Sequence, residues 1–408
     1  IFYNDHNNNL WTNARSTLAE VLSSNDIRID TLSNEEFSTY NERRSMVLYF
    51  PEKFNTYIIA RSLGVDKPND IIDNMPKVDS IYLYLGREDS FFVFSEGINH
   101  LKAYDMNIDA KTIREQIKNI EDRKEYTYYY SMKDTLGGDN NIFIPYEMTR
   151  PLPLIYVENE LDVYDIEKIR IIAEKFFKKD IDYIREIIED GGSIIYVYDQ
   201  RVLKINENGL LEYFSPLDEP IEERNLYISL NTAAEFLSNH LEVPKDMYLA
   251  KVEEIESQQN LGYRLTFKYR VEGIPIILGS DIVEDFIQID VFNKYIRNYK
   301  RFIRKNINVD AYNKEDDRRM LSAFDIINMN YNLLEKEYLQ GKDILIEDID
   351  REMLMEEVLS SIENVAIAYL DPCLREREEE LIGIWLLQIE DRTYAFDVYN
   401  GKLILKKK

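Results

Sequence analysis

The chain has 408 residues, 45% of them hydrophobic, and a formal net charge of −26 at pH 7. This length and hydrophobic content indicate a folded chain of about two or three domains and exclude a wholly disordered one. The acidity disfavours nucleic acid and anionic membrane surfaces as partners, because both would repel the chain. The single cysteine, Cys373, excludes an intrachain disulfide framework and a cysteine-based metal cluster.

Residues 1–150 are predicted to form a mixed α/β domain. Apolar residues at helical spacing predict a helix over Trp11–Leu22 and another that starts from Asp109, as N-cap, and continues to Ile120. Runs of aromatic and aliphatic residues predict strands, two of which read as a hairpin. The predicted strands are Met46–Phe50, which ends at Pro51, Ser80–Leu85, Phe91–Phe94 and Tyr126–Tyr130.

Residues 151–310 are predicted to form a middle domain of helices and antiparallel strands. The longest helical pattern of the chain covers Asp165–Glu189 and ends at Gly191-Gly192, and a second helix is predicted over Thr232–Leu241 with Asn231 as its N-cap. Four short strands are predicted around them by their apolar runs and turn residues. These strands are Leu154–Val157, Ile194–Tyr198, Val202–Ile205 and Leu211–Phe214.

The clearest strand pattern of the chain lies at the end of the middle domain, within Gly262–Arg301. Residues Tyr263–Val271 alternate apolar and polar side chains, and Phe286–Val291 does the same after a turn at Gly273. Alternate residues of a strand point to opposite faces, so this pattern predicts an antiparallel meander with one buried and one solvated face. The solvated face is predicted to carry Arg264, Lys268 and Arg270.

Residues 311–408 are predicted to form a C-terminal domain of the same helix-plus-meander kind. Helices are predicted over Leu321–Tyr338 and Glu352–Ile362, and the charged run Arg375–Glu380 is predicted to be a solvated loop. Asn400-Gly401 predicts a hairpin with a type I′ turn, which needs positive φ at both residues. The predicted strands are Val365–Leu370, Gly383–Ile389, Thr393–Val398 and Leu403–Ile404. The whole chain is therefore predicted to be an α+β protein of three domains, in which the two later domains share a topology.

Patterns that would support catalysis are missing from the sequence. His6, His100 and His240 are not spaced with carboxylates as metal ligands would be, and no glycine-rich phosphate loop or nucleophile elbow occurs. Cys373 has no obvious base beside it and is interpreted as a structural residue. The carboxylates of Asp281, Glu284 and Asp285 lack the spacing and the glycine of a calcium loop. We therefore predict no catalytic, cofactor or metal site and interpret the chain as non-enzymatic.

Residues 195–408 carry a resemblance to a known family. The segments Gly209–Tyr213, Phe267–Ile276 and the closing strands with Trp385, Tyr394–Asp397 and Asn400-Gly401 resemble the YycH family of Firmicutes. That family and its sister, YycI, supply extracytoplasmic regulators of the sensor histidine kinase WalK, also called YycG, which controls cell-wall metabolism. Their matching segments are structural and include no catalytic residue.

The resemblance implies a regulator on the extracytoplasmic side of the cell membrane, in complex with a WalK/YycG-like kinase and a YycI-like partner. It also implies an N-terminal transmembrane anchor that this sequence lacks, and the start at Ile1 rather than at a methionine agrees with a missing upstream segment. The surface with Arg264, Lys268 and Arg270 is the predicted interface.

Two alternatives stay open at the level of the sequence. A secreted or membrane-anchored peptide-binding or inhibitor module would use an exposed sheet edge, to which a peptide adds as a strand. A hydrolase would bring together carboxylates that are distant in the sequence, and such a site leaves no local motif.

Overall fold

The computed structural model describes residues 10–407 except 41–42, 87–88, 105–107, 109, 125, 127, 139, 141, 146–151, 272, 281, 308–318, 343–349, 374–377 and 391. Helices pack on largely antiparallel sheets within these residues, which confirms the predicted α+β class. The chain divides into two compact units, one within residues 4–126 and the other within residues 127–408. Both predicted domain boundaries, after residues 150 and 310, fall outside the described residues, so the division into three domains stays a prediction.

The first unit contains a five-stranded antiparallel sheet in the order β1-β5-β4-β3-β2. Its strands are β1 (Arg28–Leu32), β2 (Ser45–Asn55), β3 (Lys77–Tyr84), β4 (Phe91–Glu96) and β5 (Asn99–Tyr104). Its helices are α1 (Leu10–Ser23), α2 (Asn34–Ser38), α3 (Thr56–Ser62), α4 (Ile71–Asn74) and α5 (Lys111–Arg123).

The end of strand β2 and the N-cap of helix α5 differ from the sequence-based expectation. Strand β2 does not end at Pro51, because its pairing with β3 shifts register between Tyr49 and Phe54 and the strand continues beyond the proline. β2 lies at an edge of the sheet, where a proline without an N–H is tolerated. The N-cap of α5 is Ala110, and Asp109, predicted in that role, lies outside the described residues.

The second unit starts with a small hairpin and then adds strands to a long sheet. Its early elements are β6 (Tyr129–Ser131), α6 (Met132–Leu136), β7 (Phe143–Pro145), β8 (Tyr156–Asn159), α7 (Ile166–Phe177), β9 (Arg185–Ile188), β10 (Ile194–Tyr198), β11 (Arg201–Ile205) and β12 (Leu211–Phe214). Next come α8 (Leu226–His240), β13 (Met247–Ser257), β14 (Asn260–Val271), β15 (Ile274–Leu278), β16 (Ile287–Phe292), β17 (Tyr295–Arg301) and β18 (Arg304–Ile307). The last elements are α9 (Ala323–Lys342), α10 (Arg351–Ser360), β19 (Ile362–Asp371), β20 (Glu378–Glu380), β21 (Ile382–Ile389), β22 (Arg392–Asp397) and β23 (Leu403–Lys407).

Among the described residues of this unit, a helix followed by an antiparallel meander occurs three times. Helix α7 precedes β9-β10-β11-β12, α8 precedes β13-β14-β16-β17, and α10 precedes β19-β21-β22-β23. β12 pairs with β17 in antiparallel orientation, and β15 pairs with β19 in parallel orientation. The three meanders and the connecting strand β15 therefore form one 13-stranded sheet.

Four elements differ from the sequence-based expectation. The predicted helix Asp165–Glu189 ends at Phe177, where Lys178 adopts a left-handed conformation, and its last part forms β9, because Ile187 and Ile188 pair with β10. Helix α8 starts before the predicted Asn231, at an N-cap formed by Asn225, whose side chain accepts from the N–H of Ile228. The long strand β13 was missed, and Glu378–Glu380 of the predicted loop is strand β20.

The closing hairpin forms as predicted, but its turn is not of type I′. Only Gly401 has positive φ, at 70°, whereas Asn400 does not. The carboxylate of Asp397 accepts from the N–H groups of Tyr399 and Asn400 and fixes the loop instead. The extra residues between β22 and β23 explain why the two-residue turn is not used.

Candidate functional site

The two faces of the sheet from β9 to β17 differ in what covers them. Helices α7 and α8 pack on one face, where Phe176 and Phe236 contact the rings of Tyr213 and Tyr299. We call the opposite face of β9–β14, β16 and β17 the open face. Because side chains alternate along a strand, residues next to the buried Tyr213 and Tyr299, such as Glu212 and Lys300, lie on the open face.

The open face carries the predicted Arg264 at its centre, but this cation is already paired. Its Nε and Nη2 donate to the two carboxylate oxygens of Asp290 at 2.8 and 3.0 Å. The amide of Asn298 donates to the same carboxylate at 2.9 Å. The bond to Asp290 raises the pKa of Arg264 above its ordinary value, and burial opposes this shift. Arg264 is therefore a fixed part of the sheet surface rather than a mobile charge.

Lys268 and Arg270 lie further along β14 on the same face. Tyr248 is the cross-strand neighbour of Lys268, and the Arg270 guanidinium carbon lies 4.9 Å from the centre of the Tyr248 ring. Arg270 is exposed, and Lys268 is half-buried. The structure thus brings all three predicted residues to one face, with Lys268 and Arg270 as the cations best placed to meet a partner.

A cleft of about 410 Å³ opens on this face beside the predicted residues. Its floor includes Glu212, Lys300 and Gln288, which are cross-strand neighbours on β12, β17 and β16. One wall is the turn at residues 206–210, and the other is the loop that connects β15 to β16. We call it the acidic cleft, because four carboxylates and one ammonium group line it. These groups belong to Glu207, Glu212, Glu284, Asp285 and Lys300.

Two side chains bond to backbone groups of the loop that forms the second wall. The hydroxyl of Ser280 accepts from the N–H groups of Ile282 and Val283. The Lys407 ammonium, at the C-terminal end of β23, donates to the carbonyls of Leu278 and Ser280 at 2.8 and 2.9 Å. Val283 is buried, whereas Ile282 beside it is 76% exposed. The loop is thus anchored at its base and presents an apolar side chain at the cleft.

Asp285 links the acidic cleft to the predicted cations. Burial raises the pKa of its carboxyl, and the charges of Lys268 and Lys251 act in the opposite direction. Asp285 therefore lies between the acidic cleft, which it lines, and the cation Lys268 on the open face. Local sequence patterns indicate Asp285 only as a possible cation ligand, because its proximity to Lys268 is a tertiary contact.

Several residues of this site were not identified from the sequence. Gln288 and Asp290 alternate with apolar neighbours in β16, and that pattern could have placed both on the open face. Glu212 and Lys300 could not be placed beside them, because the register of β12 against β17 is a tertiary property. The nearby Asp281 lies outside the described residues.

The other residues considered for chemistry are placed in structural settings. Within the part of the chain that the structure describes, no group of three or more His, Cys, Asp or Glu side chains is placed to hold a metal ion. His100 and His240 are buried and hydrogen-bonded, and His6 lies outside the described residues. Burial raises the pKa of the Cys373 thiol to about 12, with a further contribution from Asp371, which disfavours the nucleophilic thiolate.

Comparison with protein families and with curated proteins finds no match. Among solved structures, an uncharacterized protein from Eubacterium rectale ATCC 33656 is 12% identical, with a TM-score of 0.40, over 65% of this chain and 90% of that chain. The YpeB C-terminal domain from Bacillus megaterium is 14% identical, with a TM-score of 0.26, over 59% of this chain and 96% of that chain. Similarity at this level carries no argument about function.

None of the helices in the described residues is both long enough and apolar enough to cross a bilayer.

Proposed function

We propose that this chain is a non-enzymatic extracytoplasmic regulatory protein of the YycH kind. It would modulate a membrane sensor histidine kinase that controls cell-wall metabolism, in complex with a YycI-like partner. A regulator of this kind acts by binding one signalling state of the kinase better than the other, and the difference in affinity sets the shift between them.

The observation that supports this proposal best is the open face. It is a broad sheet surface with charged side chains on neighbouring strands, among them the bidentate pair of Arg264 and Asp290. The face opposite to it is covered by α7 and α8, so a partner that binds the open face does not need to expose that core. Complementary charges fix the orientation of a complex and select against wrong partners.

The segments that resemble the YycH family also belong to this scaffold. Gly209–Tyr213 leads into β12, Phe267–Ile276 covers the end of β14 and the start of β15, and Trp385 lies on β21. β12 and β14 contribute to the open face, and β15 joins the second meander to the third through β19. Two of the segments that carry the resemblance, those in β12 and β14, therefore belong to strands of the candidate interface.

The test is co-purification of the protein, as its own cells produce it, from cell membranes. We expect a sensor kinase and a YycI-like protein among the bound proteins identified by mass spectrometry. The double variant Lys268→Glu/Arg270→Glu should reduce their recovery at least about tenfold, because reversed charges in an interface cost several kcal/mol.

The matched control is the double variant Lys175→Glu/Lys179→Glu. Both lysines are exposed at the C-terminal end of the α7 region, which belongs to the covered side of the sheet. The two double variants change the net charge equally, so equal losses of partner recovery would argue against the open face as the interface. Recovery of neither partner with a well-folded wild-type protein would contradict the proposed function itself.

The second candidate function, a peptide-binding module, is favoured by strand β13. This strand has 11 residues and, among the described strands, pairs only with β14. Its outer edge therefore offers backbone groups to which an extended peptide could add. Binding in this mode would protect the outward-facing amides of Met247–Ser257, those that do not bond to β14, from hydrogen exchange when a secreted peptide is added. A peptide that binds without such protection would rule out this mode.

A further inference from the structure

The sequence of β10 is apolar on both of its faces. Ile194 and Tyr196 are buried on the face covered by helices, and the alternate residues Ile195 and Val197 lie on the open face. Strands with apolar residues on both sides are typical of sheets that are covered on both sides. The open face at this end of the sheet therefore has the composition of a surface that another element covers.

Neighbouring strands extend this composition into an apolar strip. In the strand register, Ile195 is opposite Ile187, Val197 is opposite Val202, and Val202 is opposite Phe214. Phe214 is 37% exposed and the other four side chains are half-buried. The strip consists of Ile187, Ile195, Val197, Val202 and Phe214.

The apolar strip is continuous with the acidic cleft. Ser193, the residue before β10, lines the cleft, and one register row runs from Ile195 through Lys204 to Glu212 on the cleft floor. Lys204 is paired with Glu189 at 2.8 Å, so it does not present an unpaired cation between the two regions. Glu207 and Glu284 stand at the cleft with exposed side chains.

We propose that the apolar strip and the acidic cleft together form a docking surface for a basic amphipathic segment of a partner protein. The apolar side chains of that segment lie on β9–β12, and a lysine or arginine side chain enters the cleft between Glu207 and Glu284. The inference does not depend on the kinase partnership, because it concerns the chemistry of the bound segment and is measured by direct binding.

The negative charge of the cleft favours a basic segment over a second copy of this chain or an anionic lipid surface. A second copy of the chain would bring a net charge of −26 against an already acidic cleft, which opposes self-association on this surface. An anionic lipid surface would be repelled by the same carboxylates. A basic segment is attracted, and removal of the apolar strip from water adds to its affinity.

The experiment uses the whole chain and a short fluorescent peptide in which leucine and lysine alternate, with fluorescence anisotropy as the measurement. A peptide in which leucine and glutamate alternate is the matched negative probe. We expect the lysine peptide to bind, the glutamate peptide not to bind, and the affinity for the lysine peptide to fall as salt increases.

Variants of the chain then locate the binding surface. Glu207→Lys/Glu284→Lys should weaken binding of the lysine peptide at least about tenfold. Glu167→Lys/Glu235→Lys, which changes exposed carboxylates on α7 and α8, has the same net charge and should leave binding unchanged. Val197→Thr/Val202→Thr keeps β-branched side chains in the strands but makes the strip polar, and it should also weaken binding.

The outcomes separate specific docking from general attraction to an acidic protein. Loss of binding in the cleft and strip variants, with the helix variant unaffected and all circular dichroism spectra alike, would support the proposal. Equal weakening by the two double glutamate variants would overturn it, because net charge alone would then explain binding. Failure of the lysine peptide to bind wild-type protein at low salt would overturn it as well.

Discussion

The guanidinium of Arg301 binds both carboxylate oxygens of Glu160, at 2.6 Å from Nε to Oε2 and at 2.8 Å from Nη2 to Oε1. Arg301 is 1% exposed and Glu160 is 6% exposed. The same Nη2 also donates to the carbonyl of Glu242 at 2.6 Å. The last residue of β17, the segment after β8 and the segment after α8 are thus joined by one buried cation.

Glu160→Gln should destabilise the protein by about 3–5 kcal/mol, because it removes the charge that compensates the buried Arg301. Urea denaturation followed by circular dichroism measures this change. The control Glu167→Gln affects a carboxylate that is 87% exposed and lies 3.8 Å from Arg170, and should change stability by less than about 0.5 kcal/mol. Similar effects of the two variants would show that the Arg301–Glu160 pair has no special role.

Reversal of the charge at Arg264 should lower the stability of the protein as well as its binding to a partner. Arg264→Glu would place a second carboxylate beside Asp290, whose side chain is 5% exposed. We expect the free energy of unfolding to fall by roughly 1–3 kcal/mol. The loss is limited because the amide of Asn298 still donates to Asp290. Arg270→Glu changes an exposed cation on the same face and should change the free energy of unfolding by less than about 1 kcal/mol. If Arg264→Glu is as stable as Arg270→Glu in urea denaturation, the pair with Asp290 does not form.

Gly262→Ala should destabilise the meander by about 1–3 kcal/mol, the usual cost of overpacking. An added Cβ at this position would lie 2.6 Å from the carbonyl oxygen of Val291 and 2.7 Å from the Phe292 ring. Gly191→Ala is the control, because nothing lies within 4 Å of its added Cβ and its φ is not in the left-handed region. Thermal denaturation compares the two. A Gly262 variant as stable as the Gly191 variant would contradict the close approach of β14 to β16.

His100 should make the first unit less stable in acid. Nδ1 lies 2.9 Å from the Ser95 hydroxyl and Nε2 lies 2.9 Å from the Asn34 side-chain oxygen. Burial lowers the pKa of His100, and Asp79 partly opposes this. A histidine with a lowered folded pKa contributes stability above its unfolded pKa of about 6.5, and this contribution is lost as the pH falls through the folded value.

The pH dependence can be followed by NMR titration of His100 and by urea unfolding at several pH values. Pulse hydrogen exchange of β4 and β5 reports the unfolding of the first unit. His100→Gln keeps groups that can bond to Ser95 and Asn34 and should reduce the loss of stability between about pH 6.5 and the folded pKa. A His100 resonance that titrates at or above the ordinary histidine pKa would contradict the burial.

The thiol of Cys373 should be nearly inert in the folded protein. With a pKa raised to about 12 by burial and by Asp371, only about one part in ten thousand is thiolate at pH 8. A chromogenic disulfide reagent should label Cys373 slowly in buffer and rapidly in denaturant. Equal rates in the two conditions would show that the thiol is exposed in the folded chain.

The sequence predicted the open face better than it predicted the contacts on it. The alternation in Tyr263–Val271 was sufficient to place Arg264, Lys268 and Arg270 opposite the core, because a period of two is a local property of a strand. It could not show that Arg264 is held by Asp290, which is 26 residues away. The acidic cleft was not predicted, since Glu212 and Lys300 meet only through the register of β12 and β17.

By itself, the sequence determined the α+β class, most of the strands and the long helix α9, because periodicity and turn residues act over short distances. It was wrong over Asp165–Glu189, where isoleucines spaced four apart fit a helix but pairing with β10 forms a strand. Only the tertiary structure decided that β15 pairs in parallel with β19 and that Arg301 meets Glu160 across 141 residues. Such contacts depend on the burial of surfaces that are far apart in the chain, and local sequence patterns do not specify them.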